Sequence, residues 1–203
     1  VKGTDARNCN PVNAGKVGEE LGKIQKFYLT DGGHTESAEY YWNRYLEKYY
    51  VKLKLLFDDI DDVWENAKQR FYEVPQTLVH DDLLPINVLI GEDGPWIIDW
   101  EIAGIYPYFL DLARFAYVFC SINNHFFISD ASADAFITAY YEEMKKNATF
   151  DVDKKQFLYD VTISALYQYI MFQDYDKPRE ELEDTVDYKY LKEIIEVLRK
   201  EEN

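Results

Sequence analysis

The sequence predicts a mostly helical α+β domain built around one small β-hairpin, and three observations carry that prediction. Apolar residues recur at three- and four-residue steps over most of the chain. Two short β-prone runs, "NVLI" and "WIID", flank the turn-rich "GEDGP". No internal repeat, low-complexity tract or linker divides the chain, whose 203 residues, 47% of them apolar, suffice for one sizeable core.

Residues 1–14, with Gly3, Asn8, Asn10, Pro11 and Asn13, show no period and are expected to form an irregular lead-in. From Gly15 to Tyr28 the positions Val17, Leu21, Ile24, Phe27 and Tyr28 mark an amphipathic helix ended by Gly32-Gly33. "ESAEYYWNRYLEKYYVKLKLLF" repeats Tyr41, Trp42, Tyr45, Leu46, Tyr49, Leu53, Leu56 and Phe57 at helical spacing, which predicts one long helix. "DDIDDVWENAKQRFYEV" predicts another, with acids at its positive end and Pro75 as its stop. After the hairpin, "YFLDLARFAYVFCSI" and "SADAFITAYYEEMKK" are predicted helices. A long one follows over "VDKKQFLYDVTISALYQYIMF" with Asp151 as cap, and a charged one spans residues 187 to 200.

Charge narrows the function. Against 22 basic residues stand 38 acidic ones, a net charge of -16 that repels phosphate backbones and anionic lipid surfaces. Nucleic acid and membrane are therefore excluded as expected partners. Apolar runs fall short of the roughly 20 residues that cross a bilayer, and no leader pattern opens the chain, so a cytoplasmic location is expected. Cys9 and Cys120 are expected as reduced thiols. The 18 Tyr and 12 Phe are first of all packing material. Near acidic residues, some of them are also candidates for holding a cationic ligand.

The segment "LVHDDLLPINVLIGEDGPWIIDWE", residues 78 to 101, concentrates the chemistry. Centring the hairpin turn on Asp93 places Ile90 opposite Trp96, Val88 opposite Ile98, and Asn87 opposite Asp99. Opposed residues have Cβ atoms about 5 Å apart, so an amide oxygen and a carboxylate would converge, as suits Mg²⁺. Asp82, on the loop entering the first strand, can face the same point. Turn and cap chemistry is the plain alternative for these residues.

The pattern His80-x-Asp82, then Asn87, a strand, a turn and Asp99, resembles the catalytic loop and metal-binding Asp of protein-kinase-like phosphotransferases. Its wording is similar to the aminoglycoside phosphotransferase and choline kinase branch: "HDDLLPINVLI", "IIDWE", Gly104, Pro107 and "DLA" at 111 to 113. "GEELGKIQKF" more loosely resembles that family's first helix below the hinge. Asp81 stands where the family usually has Gly, which adds a carboxylate beside Asp82 that would raise its pKa or crowd the backbone.

The resemblance implies a kinase-like C-terminal lobe, with residues 15–203 as that lobe. It implies ATP and Mg²⁺ as cofactors and a small-molecule hydroxyl as acceptor, cationic acceptors of the aminoglycoside or choline kind ranking first. Asp82 would accept or orient the acceptor proton, Asn87 and Asp99 would hold Mg²⁺, and His80 would brace the loop. Glu101 and Asp111 stay outside this catalytic set, Asp111 being either a helix cap or a tie for the loop. A glycine-rich loop and strand lysine, which belong to an N-terminal nucleotide lobe, are not visible, and "GKVGEELGK" sits in a helical pattern. The expectation is therefore a lobe of a longer enzyme, inactive by itself. A non-catalytic scaffold that keeps the fold is the rival reading. A metallohydrolase on His34, His80 and His125 is disfavoured because no two of them share a zinc-binding spacing.

Overall fold

In the computed structural model, residues 3–32, 35–117, 128–171, 177 and 179–201 are described. His34, Cys120 and His125 lie outside them. Helix α1 (Pro11–Phe27) starts where the Asn10 side chain accepts the Asn13 amide and Pro11 takes the first turn. The irregular lead-in expected over 1–14 is thus corrected at both ends. Thr4–Asp5 forms strand β1, paired antiparallel with Ile90 and Leu89, and the helix begins before Gly15. The buried stripe of α1 is Ala14, Val17, Gly18, Leu21, Gly22 and Gln25. Phe27 and Tyr28, expected on the apolar face, are exposed, because the stripe drifts off the contact as the helix ends.

The long tyrosine-rich helix forms in three continuous pieces: α2 (Glu36–Tyr41), a π turn (Trp42–Leu46) and α3 (Glu47–Leu56). Trp42 and Leu46, at the ends of the π turn, are both buried. Helix α4 (Asp61–Glu73) carries Asp61 and Asp62 in its first turn and stops at Val74, before Pro75. Trp42 lies 5.2 Å from Trp64 and 5.3 Å from Phe71 between ring centroids, and Tyr167 closes the group edge-on. Much of the aromatic load is therefore core.

Strands β3 (Val88–Gly91) and β4 (Gly94–Ile97) form the expected hairpin, but the register is corrected. Gly91 pairs with Gly94, Leu89 with Trp96 and Val88 with Ile97. The turn is the two-residue Glu92-Asp93, with Gly94 at φ +123, so no residue sits at its centre and every pair shifts by one. Asn87 stands beside Ile98, whose N–H it accepts at 2.9 Å. Two further strands went unforeseen: β2 (Gln76–Val79) pairs antiparallel with β5 (Gly104–Pro107), bracketing the loop and hairpin between them.

Helix α5 (Leu110–Ala116) follows; the predicted continuation beyond residue 117 falls outside the described residues. Ser129 caps α6 (Asp130–Met144). The cap of α7 (Lys154–Met171) is Asp153, whose carboxylate accepts the Gln156 amide at 2.8 Å, rather than Asp151. Helices α8 (Arg179–Leu182) and α9 (Val186–Glu201) complete the chain. Among the described residues no helix is long and apolar enough to cross a membrane.

Glycine sets how closely α1 and α6 approach. A Cβ on Gly18 would lie 2.2 Å from the Phe136 carbonyl oxygen, whereas at Gly15 the nearest atom is 3.7 Å away. Gly18→Ala is expected to lower the unfolding free energy in urea by about 1–3 kcal/mol through overpacking. Gly15→Ala is expected to raise it by up to about 1 kcal/mol through helix propensity.

Candidate active site

The loop from His80 to Asn87 runs between β2 and β3, and its start is fixed from below. The backbone N–H of His80 donates to Asp111 Oδ2 at 2.8 Å and that of Asp81 to Asp111 Oδ1 at 2.9 Å. Gln25 adds a third donor, Nε2 to Oδ2 at 2.9 Å, and is itself held by the Tyr140 hydroxyl at 2.5 Å. Asp111 is completely buried in the first turn of α5. Burial pushes its carboxyl up to about 6, opposed by the N–H donors and by His80. It therefore ties the loop down and does not cap the helix.

His80 is buried too. Its Nδ1 accepts the Asp82 amide at 3.2 Å, which leaves the proton on Nε2, where it donates to the Ile98 carbonyl at 2.7 Å. The ring also packs 4.7 Å from Trp100. One imidazole thus links the Asp82 end of the loop to the strand that leads into Asp99.

Asp82 is gripped on both oxygens. Arg114 Nη2 donates to Oδ1 at 2.7 Å, and Asn87 Nδ2 approaches Oδ2 at 3.2 Å while donating to the Asp82 carbonyl at 2.8 Å. The second guanidinium nitrogen, Nη1, reaches Gln168 of α7 at 3.0 Å. With its amide nitrogen committed to Asp82, Asn87 has its amide oxygen left for a cation. Asp99 follows directly on Ile98, which is bonded at both its N–H and its carbonyl. Its φ of +67 takes it out of the strand pleat, and it is exposed. The expected opposition of Asn87 and Asp99 is thus corrected: Ile98 stands beside Asn87, and Asp99 leaves the pleat.

No group of three or more His, Cys, Asp or Glu among the described residues could hold a metal ion. Mg²⁺ commonly takes one or two protein oxygen ligands and completes its shell with phosphates and water. Asn87 and Asp99 carry hard oxygens that could serve as such ligands. Glu101 is exposed in the turn that follows.

Asp81 sits at φ +65, the left-handed region that glycine enters freely and Asp enters more readily than most residues. Its carboxylate accepts the Tyr41 hydroxyl at 2.6 Å. The Tyr41 ring lies 4.6 Å from Tyr106 and 5.1 Å from Tyr45. Burial raises the Asp81 carboxyl above the usual range, against the Tyr41 hydrogen bond and the charge of Arg114.

Three residues of this constellation escape sequence reasoning. Gln25 had a signal, a polar side chain four residues after Leu21 on an apolar stripe. Arg114 had another, a cation inside "DLARFA". Tyr41 had none that separated it from its neighbours.

The model of the phosphotransferase enzyme family, APH, matches residues 1–146, and the chain belongs to that family. Among solved structures it is similar to choline kinase LicA from Streptococcus pneumoniae, at 15% identity and a TM-score of 0.53, with 97% of this chain and 68% of that one covered. Ethanolamine kinase Pv091845 from Plasmodium vivax gives 15%, 0.53, 98% and 62%. Choline kinase from Cryptosporidium parvum gives 13%, 0.55, 99% and 70%. The chain thus spans about two thirds of the length of these proteins. No curated protein matches the sequence. The fold is that of the kinase-like phosphotransferases.

Asp111 also sets a pH dependence. Its folded value is raised from 3.8 to about 6, so between those values the folded state holds a proton that the unfolded chain has released. Its contribution to stability is therefore fullest below 3.8, declines as pH rises, and is constant above about 6. Unfolding free energies measured from pH 4 to 7 are expected to show this decline in the native protein and to lose it in Asp111→Asn. That variant is also expected to be less stable at pH 7, because it turns an amide N–H₂ toward backbone donors.

Proposed function

We propose that this member of the phosphotransferase enzyme family supplies the helical lobe of an ATP-dependent small-molecule kinase, with Asp82 meeting the acceptor hydroxyl. One observation carries the reading. Asp82 is held by His80, Asn87 and Arg114 at the mouth of a loop whose backbone is locked to a buried carboxylate. Such rigidity is superfluous in a turn and is what a reacting group requires.

In this reading the acceptor oxygen bonds to the γ-phosphorus as the bond to the β–γ bridging oxygen breaks. The bridging oxygen leaves with the electron pair as part of ADP, and the hydroxyl proton passes to Asp82. Asn87 and Asp99 would hold Mg²⁺, whose charge offsets that of the phosphates. His80 keeps loop and strand in register and takes no proton. The nucleotide would lie between this lobe and a nucleotide-binding lobe.

For the acceptor we propose a cationic amino alcohol. Asp81 adds a second carboxylate beside Asp82 and accepts the Tyr41 hydroxyl, against whose ring Tyr45 and Tyr106 pack, a setting that favours a cation. The choline and ethanolamine kinases that share the fold act on alcohols of that kind.

In the complete enzyme, Asp82→Ala is expected to lower turnover by at least about 10²-fold while Mg-ATP affinity stays near normal. Asp99→Ala is expected to weaken Mg-ATP binding as well as rate. Calorimetry of Mg-ATP binding beside steady-state kinetics separates the two. Unchanged Mg-ATP binding in Asp99→Ala, or lost binding with preserved turnover in Asp82→Ala, would falsify these assignments.

A further inference from the structure

Helix α5 reaches the catalytic loop twice. Asp111 holds the loop backbone, and Arg114, three residues on and hence on the same helix face, holds the side chain of Asp82. The helix is itself tied to α7: the Ala113 amide donates to Ser164 Oγ at 3.2 Å, and that hydroxyl donates to the Leu110 carbonyl at 3.3 Å. Arg114 then divides its fork, Nη2 to Asp82 and Nη1 to Gln168 of α7. Its side chain is 17% exposed, that of Asp82 32%.

Held through Oδ1 by the guanidinium and through Oδ2 by the Asn87 amide, the carboxylate loses the freedom to rotate about its Cβ–Cγ bond. With Oδ1 taken at 2.7 Å by the charged guanidinium and Oδ2 bonded only at 3.2 Å by the neutral Asn87 amide, Oδ2 is the oxygen that keeps a lone pair for the acceptor. The geometry points to Arg114 as a positioning residue for phosphotransfer, one that assigns Oδ1 of Asp82 to the scaffold and Oδ2 to the acceptor hydroxyl, with Gln168 setting the plane of the fork. The inference rests on the proposed role of Asp82. Lysine does not replace arginine here, because one ammonium lacks two coplanar donors aimed in different directions.

The experiment compares the complete wild-type enzyme with Arg114→Ala, Arg114→Lys and Gln168→Ala, using ATP and a panel of choline, ethanolamine and an aminoglycoside as acceptors, with thermal unfolding of each protein measured alongside. Arg114→Ala is expected to lower kcat by about 10²-fold, the cost of a misplaced reacting group, with KM for ATP unchanged. Free guanidinium at millimolar concentration is expected to restore part of that kcat, and urea at the same concentration to restore none. Arg114→Lys is expected to stay at least about tenfold below wild type, and Gln168→Ala to show a smaller loss confined to kcat.

Wild-type kcat in Arg114→Ala or Arg114→Lys overturns the inference, as does a loss that follows unfolding and ignores guanidinium. A folded wild-type enzyme that phosphorylates none of the panel fails at an earlier point: it overturns the proposed function, and the role of Arg114 goes with it.

Discussion

The carboxylate of Asp111 is the constraint on which the remaining architecture turns. Taking an ionised carboxylate out of water costs several kcal/mol unless donors replace the lost solvent. Here two loop amides and the Gln25 amide do so. Each donor commits a different part of the chain. The loop amides fix where β2 ends, and Gln25 fixes the rotation of α1. The Tyr140 hydroxyl, by holding Gln25, fixes α6 against α1. The glycine contacts between those helices allow the approach that this chain of hydrogen bonds requires.

Arg114 and Asp111 give α5 two roles from one short element. A helix is well suited to this, because residues three apart share a face and keep their separation. The polar network extends away from the core through Asp82 to Asn87 and ends near the exposed Asp99. It passes from a fully buried anion to a solvent-accessible one with a cation between them. Such a gradient keeps the structural charge of Asp111 desolvated and leaves the far end of the network open to solvent.

Legibility in the sequence followed the range of the interaction. Helices α1 to α4 and the existence of the hairpin were readable because periodicity, Pro75 and the glycines flanking the turn act locally. The spacing singles out Asp82, Asn87 and His80 as a group, and the structure brings these three into contact. The register was misjudged because "GEDGP" admits both a centred turn and a two-residue turn, and the left-handed backbone at Gly94 and Asp99 selects the second. Capping by Asp153 in place of Asp151 turned on two residues of equal chemistry. Strands β2 and β5 escaped notice because each is four residues long and is stabilised by the other. Gln25, Tyr41 and Arg114 acquire meaning through partners that no local pattern names. The glycine that the family resemblance sets at position 81 is explained by the backbone angle there, and Tyr41 accounts for how an aspartate holds that conformation.

The hydrogen bonds that fix the loop also bear on how it acquires its shape. Gln25 reaches Asp111 across 86 positions, and Asp111 reaches His80 and Asp81 across 31 and 30. The bonds within the loop, such as Asn87 to Asp82, shape its turn, but the two that tie its start to the fold wait on the docking of α5. The start of the loop therefore shares the fate of the whole domain. Amide hydrogens of His80 and Asp81 will exchange with solvent through global opening more than through local fraying. A destabilising change anywhere along the α1–α6 seam is thereby felt at Asp82 and its loop.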